Sequence, residues 1–135
     1  LETGLFYNRE DEDSISELVN ALCILADVCT PDEASRISDL LTSPDSALTP
    51  VTLSMLCFKY DALIKVNSGK YKYYILYDIR KKYKMMLDAG ATTFWETESS
   101  NKSPGGSLCH GWSALPIYYY EVFKSGKYED SSALL

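Results

Sequence analysis

The sequence predicts an all-α fold of helical hairpins, and three observations predict it. Apolar residues recur at helical spacing through four successive stretches and a fifth near the end. Start signals, a Ser or Thr followed by Pro or an acid, stand ahead of three of these stretches. Glycine-containing stops, Asn67-Ser68-Gly69 and Asp88-Ala89-Gly90, close the third and the fourth.

The first helix follows the acidic run Glu10-Asp11-Glu12-Asp13, which reads as a solvated cap rather than a metal site. Ser14-Ile15-Ser16-Glu17 fits a capping box, and Ile15, Leu18, Val19, Leu22, Leu25, Ala26 and Cys29 give the apolar stripe. Thr30-Pro31-Asp32-Glu33 starts the second helix, with Ala34, Ile37, Leu40 and Leu41 on one face and an end near Leu41. The short connection predicts that these two helices form a hairpin. Thr49-Pro50 starts the third, with Leu53, Leu56, Cys57, Tyr60, Leu63 and Ile64, and Asn67-Ser68-Gly69 turns the chain. A fourth helix runs from about Lys70 to Leu87, with Ile75, Leu76, Ile79, Tyr83 and Met86 on one side. Its cluster Arg80, Lys81, Lys82 and Lys84 reads as a solvated face near the negative end of the helix dipole, not as an anion site. Ala91–Trp95 is a short β-prone run, Glu96–Gly106 a polar loop, and a last helix spans Ala114 to Lys124.

A length of 135 residues fits one domain with one core, covering 1–135. Thirteen Lys and Arg against nineteen Asp and Glu leave a net charge of −6, which argues against a nucleic-acid partner. No apolar run reaches the length of a membrane span, so no membrane partner is expected. The stretch LETGLFYNRE lacks the basic and apolar regions of a signal peptide, which favours the cytoplasm. A single histidine, His110, excludes two-histidine metal patterns within the chain. Cys23, Cys29, Cys57 and Cys109 contain no CxxC pair and read as buried free thiols. Eleven Tyr, two Trp and four Phe suit a surface needing an apolar face with a polar tip, as interfaces and sugar sites do.

The irregular segment after Gly90 is where chemistry is expected, since long ordered loops on a helical scaffold carry function. Glu96 follows Phe94 and Trp95; a carboxylate beside a Trp can face a sugar ring. His110 lies between Cys109 and Gly111, just before Trp112, and Gly105-Gly106 permits close backbone approach. Adjacent Cys109-His110 does not read as a protease dyad, whose partners meet in space. Asn101-Lys102-Ser103 has the form of a glycosylation sequon. Glycoside hydrolysis needs two carboxyl groups flanking the scissile bond. Glu98, the nearest to Glu96, would point to the same side of an extended run, so the two are not paired. The chain supplies one good carboxylate and no evident second.

Gly90-Ala91-Thr92-Thr93-Phe94-Trp95-Glu96, followed by Ser107-Leu108-Cys109-His110-Gly111-Trp112-Ser113-Ala114, resembles the late catalytic-domain signature of α-L-rhamnosidases. These form glycoside hydrolase family 78, among the six-hairpin glycosidases. The helix ending in Met86-Leu87-Asp88-Ala89-Gly90 also resembles the one that enters that motif. The likeness covers the layout of nearly the whole chain and is specific across Met86–Trp112. It implies an (α/α)6 barrel, here incomplete, and an inverting mechanism. It implies Glu96 as the general base that activates water, with Trp95, His110 and Trp112 lining or supporting the sugar pocket. No metal and no cofactor are implied, and the partner is a carbohydrate of rhamnoside type. Two residues after the base, where the family often has Trp, this chain has Glu98. The family's general acid lies in an earlier motif rich in Asp, Arg and Glu, which has no counterpart here.

Five helices are too few to close such a barrel. The chain therefore reads as its last part, inactive alone for want of the general acid. Inner helix faces left open to water would drive homo-oligomer formation. The competing reading is a noncatalytic helical domain that binds carbohydrate or a protein partner through its Tyr and Trp surface.

Overall fold

The computed structural model describes residues 4–9, 14–98 and 106–126. The acidic run Glu10–Asp13, the Asn101 sequon and Gly105 lie outside them. The fold is all-α. Among the described residues there are four α-helices: α1 (Glu17–Leu25), α2 (Pro31–Thr42), α3 (Leu56–Asp88) and α4 (Pro116–Lys124). Two 3-10 turns, Leu53–Met55 and Gly111–Ser113, precede α3 and α4. The described residues fall into two compact units. One holds those up to Val51 together with Met55–Ser68; the other holds Thr52–Ser54 and those from Gly69 onward.

In the first unit, α1 starts two residues later than the capping-box reading. Ser16 is the cap: its backbone is extended and its hydroxyl accepts the Val19 amide at 3.2 Å. Ser14 is used elsewhere, its carbonyl accepting the Asn8 amide at 3.2 Å. Glu17 does not reach back to a cap. It is buried, with Oε1 2.6 Å from Lys59 Nζ and Oε2 accepting the Val51 amide at 3.0 Å. The buried face of α1 is Glu17, Asn20, Ala21 and Ile24, not the apolar stripe, and Leu22 is left exposed. Asn20 explains the rotation. Its side chain takes the Phe6 amide and gives hydrogen bonds to the Phe6 and Ser16 carbonyls, each at 3.0 Å. Buried polar groups satisfied in this way outweigh a stripe that could face solvent.

The second helix follows its sequence closely. Thr30 Oγ1 accepts the Glu33 amide at 3.3 Å and Glu33 Oε2 accepts the Thr30 amide at 2.8 Å, a complete capping box with Pro31 in the first turn. Helices α1 and α2 pack together across a short connection in which Asp27 has φ +57°. Ile37 and Leu41 of α2 join Ala21, Ile24, Leu56, Tyr60 and Leu63 in this unit's core.

Thr49-Pro50 does not start α3. Thr49 instead bridges to Ser16, its amide donating to Ile15 O at 2.9 Å and its carbonyl accepting the Glu17 amide at 3.0 Å. Its backbone is therefore committed to α1, and the helix begins only after the turn at Leu53–Met55. The expected stop at Asn67-Ser68-Gly69 is present as a break at Asn67, whose φ −164° and ψ 96° are non-helical. The two expected helices thus meet at a kink within Leu56–Asp88, one on each side of Asn67.

In the second unit, α3 ends as the sequence requires. Gly90 has φ +77°, its amide reaches Leu87 O at 3.0 Å, and the Ala91 amide reaches Met86 O at 2.9 Å. This is a Schellman end, in which a left-handed residue satisfies the last carbonyls. The core holds Tyr71, Ile75, Ile79, Tyr83 and Met86 of α3, Trp95, and Tyr119, Val122 and Phe123 of α4. Ala91–Trp95 forms no strand. The last helix starts at Pro116 rather than Ala114, because 112–114 are taken up by the 3-10 turn and its exit.

The four thiols are free, but they are not buried as expected: Cys23, Cys29 and Cys57 are half-buried and Cys109 is exposed. Partial burial raises the pKa of the first three above the ordinary thiol value.

Candidate functional site

The two motif segments meet in the second unit. The glycine-terminated end of α3 releases the chain into Ala91–Glu98, and the segment 106–110 runs back beside it. The Glu96 amide donates to Ser107 O at 2.9 Å, and the His110 amide donates to Phe94 O at 2.8 Å. Thr93 Oγ1 donates to the Leu108 carbonyl. The Glu96 carboxylate closes the set, its Oε2 accepting the Ser107 amide at 2.8 Å. Ser107 Oγ accepts the Cys109 amide at 3.2 Å, which turns the chain toward His110. Residues 93–96 and 107–110 are thus one hydrogen-bonded clip, although neither is a strand.

A buried hydrogen bond holds the clip's far side to the scaffold. Tyr83 of α3 donates its hydroxyl to Ser113 O at 2.8 Å, and its ring meets Phe94 edge-on at 5.9 Å. Burial, helped by the nearby Glu98 and Asp78 charges, pushes the Tyr83 phenol above its ordinary pKa, so it stays a donor. The Ser113 amide donates to His110 O at 3.0 Å, closing the 3-10 turn. Ser113 Oγ is buried with no partner among the described residues.

Between the end of α3, the clip and the start of α4 lies a cavity of about 830 Å³. Ile79, Tyr83, Met86 and Leu87 supply its helical wall; Thr92, Thr93 and Phe94 come from the first motif; Cys109, His110 and Gly111 come from the second. Pro116 and Tyr120 of α4 close it, and Arg80, Lys84 and Asp88 bring charge to the lining. The volume is that of a small-ligand site. Lys84 Nζ lies 2.6 Å from Asp88, so Arg80 is the cation there not tied to an acid by an ion pair among the described residues.

Of the four candidate site residues, His110 alone lines this cavity. Trp95 is 6% exposed and packs in the core. Trp112 stands on the 3-10 turn and is 72% exposed. Glu96 is half-buried, off the cavity lining, with one oxygen held by the clip. Glu98 pairs with Lys82 at 2.7 Å, which occupies the carboxylate nearest to Glu96 in sequence. Sequence reasoning missed Tyr83 as a site residue, reading it only as part of an apolar face. It also missed Arg80 and Tyr120 as lining. The signal for Tyr83 was a phenol on a buried face, which needs a hydrogen-bond partner.

Among the described residues, no three His, Cys, Asp or Glu side chains gather as a metal would require, and no helix is long and apolar enough to cross a membrane. Comparison with family models, with curated proteins and with solved structures finds no match to this chain.

Proposed function

We propose that this chain is the late part of an incomplete (α/α)6 barrel from an inverting, α-L-rhamnosidase-like glycoside hydrolase, with Glu96 as its general base. One observation carries the reading. The two segments that resemble the family signature are hydrogen-bonded side by side, and both border one cavity of ligand size. A general base needs a fixed carboxylate with an oxygen left for water. Glu96 supplies such a carboxylate, with Oε2 fixed by the Ser107 amide and Oε1 accepting no hydrogen bond among the described residues, although it stands off the cavity lining. His110 lines the pocket, Trp95 supports it from the core, and Trp112 presents an open indole for a sugar.

Exposed apolar side chains on both units support the barrel part of the proposal. Leu22, Val28 and Leu40 are open on the first unit, and Leu87, Trp112 and Ile117 on the second. Further hairpins of a barrel would cover such groups; in the isolated chain a second copy does so. The general acid comes from the remainder of the barrel, so this chain alone does not turn over substrate.

The test is hydrolysis of a panel of aryl glycosides by the intact gene product, with the product anomer followed by NMR. α-L-rhamnoside cleavage with inversion supports the proposal. No glycosidase activity, with oligosaccharide bound but not cut, would favour the noncatalytic reading instead.

A further inference from the structure

The outer face of α3 combines two features that a merely solvated helix does not need. Tyr73 is 78% exposed and Tyr77 66% exposed. Tyr73, Tyr77, Arg80 and Lys84 recur at intervals of four, three and four, which places them in one row, and all four are exposed. Tyr71, Ile75, Ile79 and Tyr83 take the buried side. Residues 70–84 carry six cations, Lys70, Lys72, Arg80, Lys81, Lys82 and Lys84, against one acid, Asp78. Elsewhere the balance is reversed: residues 1–68 hold twelve acids and four cations in a chain of net charge −6. Lys82 pairs with Glu98 at 2.7 Å and Lys84 with Asp88 at 2.6 Å, so on the row itself Arg80 is the cation not offset by an acid among the described residues, on a helix that keeps a net positive charge. Its row of side chains leads to the cavity, where Arg80 and Lys84 form part of the lining.

We infer that this row binds an anionic saccharide chain, one whose sugar rings bear carboxylates, and guides it to the cavity. The tyrosyl rings offer flat apolar faces to the C–H faces of sugars, and their hydroxyls can bond ring oxygens. Arg80 presents a fork that matches a carboxylate, and Lys84 adds a second positive charge partly offset by Asp88. At the helical rise, Tyr73 and Tyr77 stand about 6 Å apart along the axis and the row to Lys84 is about 16 Å long, room for several sugars. A neutral saccharide would leave the cations unused. A nucleic acid carries the same sign of charge, and RNA binding is one outcome of the test below. The saccharide part rests on the function proposed above; the anionic part rests on the charge distribution alone.

Calorimetric titration of this chain tests the inference, using a hexameric oligogalacturonate, neutral cellohexaose and a single-stranded RNA hexamer at low and moderate salt. The oligogalacturonate should bind, at least tenfold tighter than cellohexaose or RNA. Tyr73→Ala with Tyr77→Ala should weaken it about tenfold with the salt dependence kept. Arg80→Ala should weaken it and flatten the salt dependence, and Arg80→Lys should restore much of the loss. All are surface changes, and unchanged circular dichroism verifies the fold. RNA or cellohexaose binding as tightly as the oligogalacturonate overturns the inference, as does binding indifferent to both tyrosines. The readout is binding, not turnover. Rhamnoside cleavage by the intact gene product without oligogalacturonate binding sinks this inference alone. Binding without any glycosidase activity sinks the proposed function and leaves the surface standing.

Discussion

Glu96 and Ser107 are joined twice: the Glu96 amide donates to the Ser107 carbonyl at 2.9 Å, and the Glu96 carboxylate accepts the Ser107 amide at 2.8 Å. The second bond makes the carboxylate part of the loop's architecture as well as of its proposed chemistry. Glu96→Gln keeps an oxygen for the Ser107 amide and should preserve the fold. Glu96→Ala leaves that amide without its acceptor and should loosen the clip, costing about 1 kcal/mol. Faster amide exchange at Ser107 and His110 in the Ala variant, but not in the Gln variant, is the expected result.

The Glu17–Lys59 pair is the main electrostatic commitment of the first unit, with N–O distance 2.6 Å and both side chains almost fully covered. Glu17→Ala removes the acid that balances a buried ammonium and strips the Val51 amide of its acceptor. Removing one partner of a buried pair costs about 3–5 kcal/mol. Urea denaturation should show a loss in that range. A loss under 1 kcal/mol would mean that Lys59 escapes to solvent.

Tyr83→Phe deletes the hydroxyl that Ser113 O accepts in a buried setting. An acceptor left unsatisfied costs about 1–3 kcal/mol. The same change should alter the environment of His110, whose carbonyl takes the Ser113 amide. Both effects are readable, one by thermal unfolding and one by the His110 imidazole resonances.

Glu33 gives a pH dependence with a definite sign. The Thr30 backbone amide, and then its hydroxyl, bond the carboxylate and hold its pKa below the ordinary value. A depressed folded-state pKa stabilises the fold above the unfolded value, and the gain disappears as pH falls through the folded one. Helix α2 should therefore lose protection on acidification below the ordinary carboxylate range. Glu33→Gln should flatten that part of the profile, as read by helix content against pH.

Self-association follows from the open apolar side chains on both units. The isolated chain should sediment as a dimer or larger species at micromolar concentration. A single monomer would mean that these side chains need no cover.

Much of the helical layout was legible in the sequence, and the misses share one cause. The Thr30 capping box and the Gly90 stop depend on residues adjacent in sequence, and both formed as read. Ser14 and Thr49 are good caps locally, but backbone bonds outside the helices claim them: Asn8, six residues away, takes Ser14, and the distant Ile15 and Glu17 take Thr49. The stripe of α1 misled for the same reason, since Asn20 and Glu17 are buried by partners at Phe6, Val51 and Lys59 that periodicity cannot see. The two motif segments were legible in the sequence as parts of one irregular region. The clip that joins them was not, because Glu96–Ser107 pairing lacks the alternation of a strand. The solvent position of Trp112 and the cavity-lining role of Arg80 depend on where α4 packs, which no local signal records.

Turnover by the Glu96→Gln form of the intact gene product decides whether Glu96 is the general base. Aryl α-L-rhamnoside hydrolysis should fall about 10²–10⁴-fold, the contribution of a positioned general base, with the fold intact. Full activity in a folded Glu96→Gln protein would contradict that role.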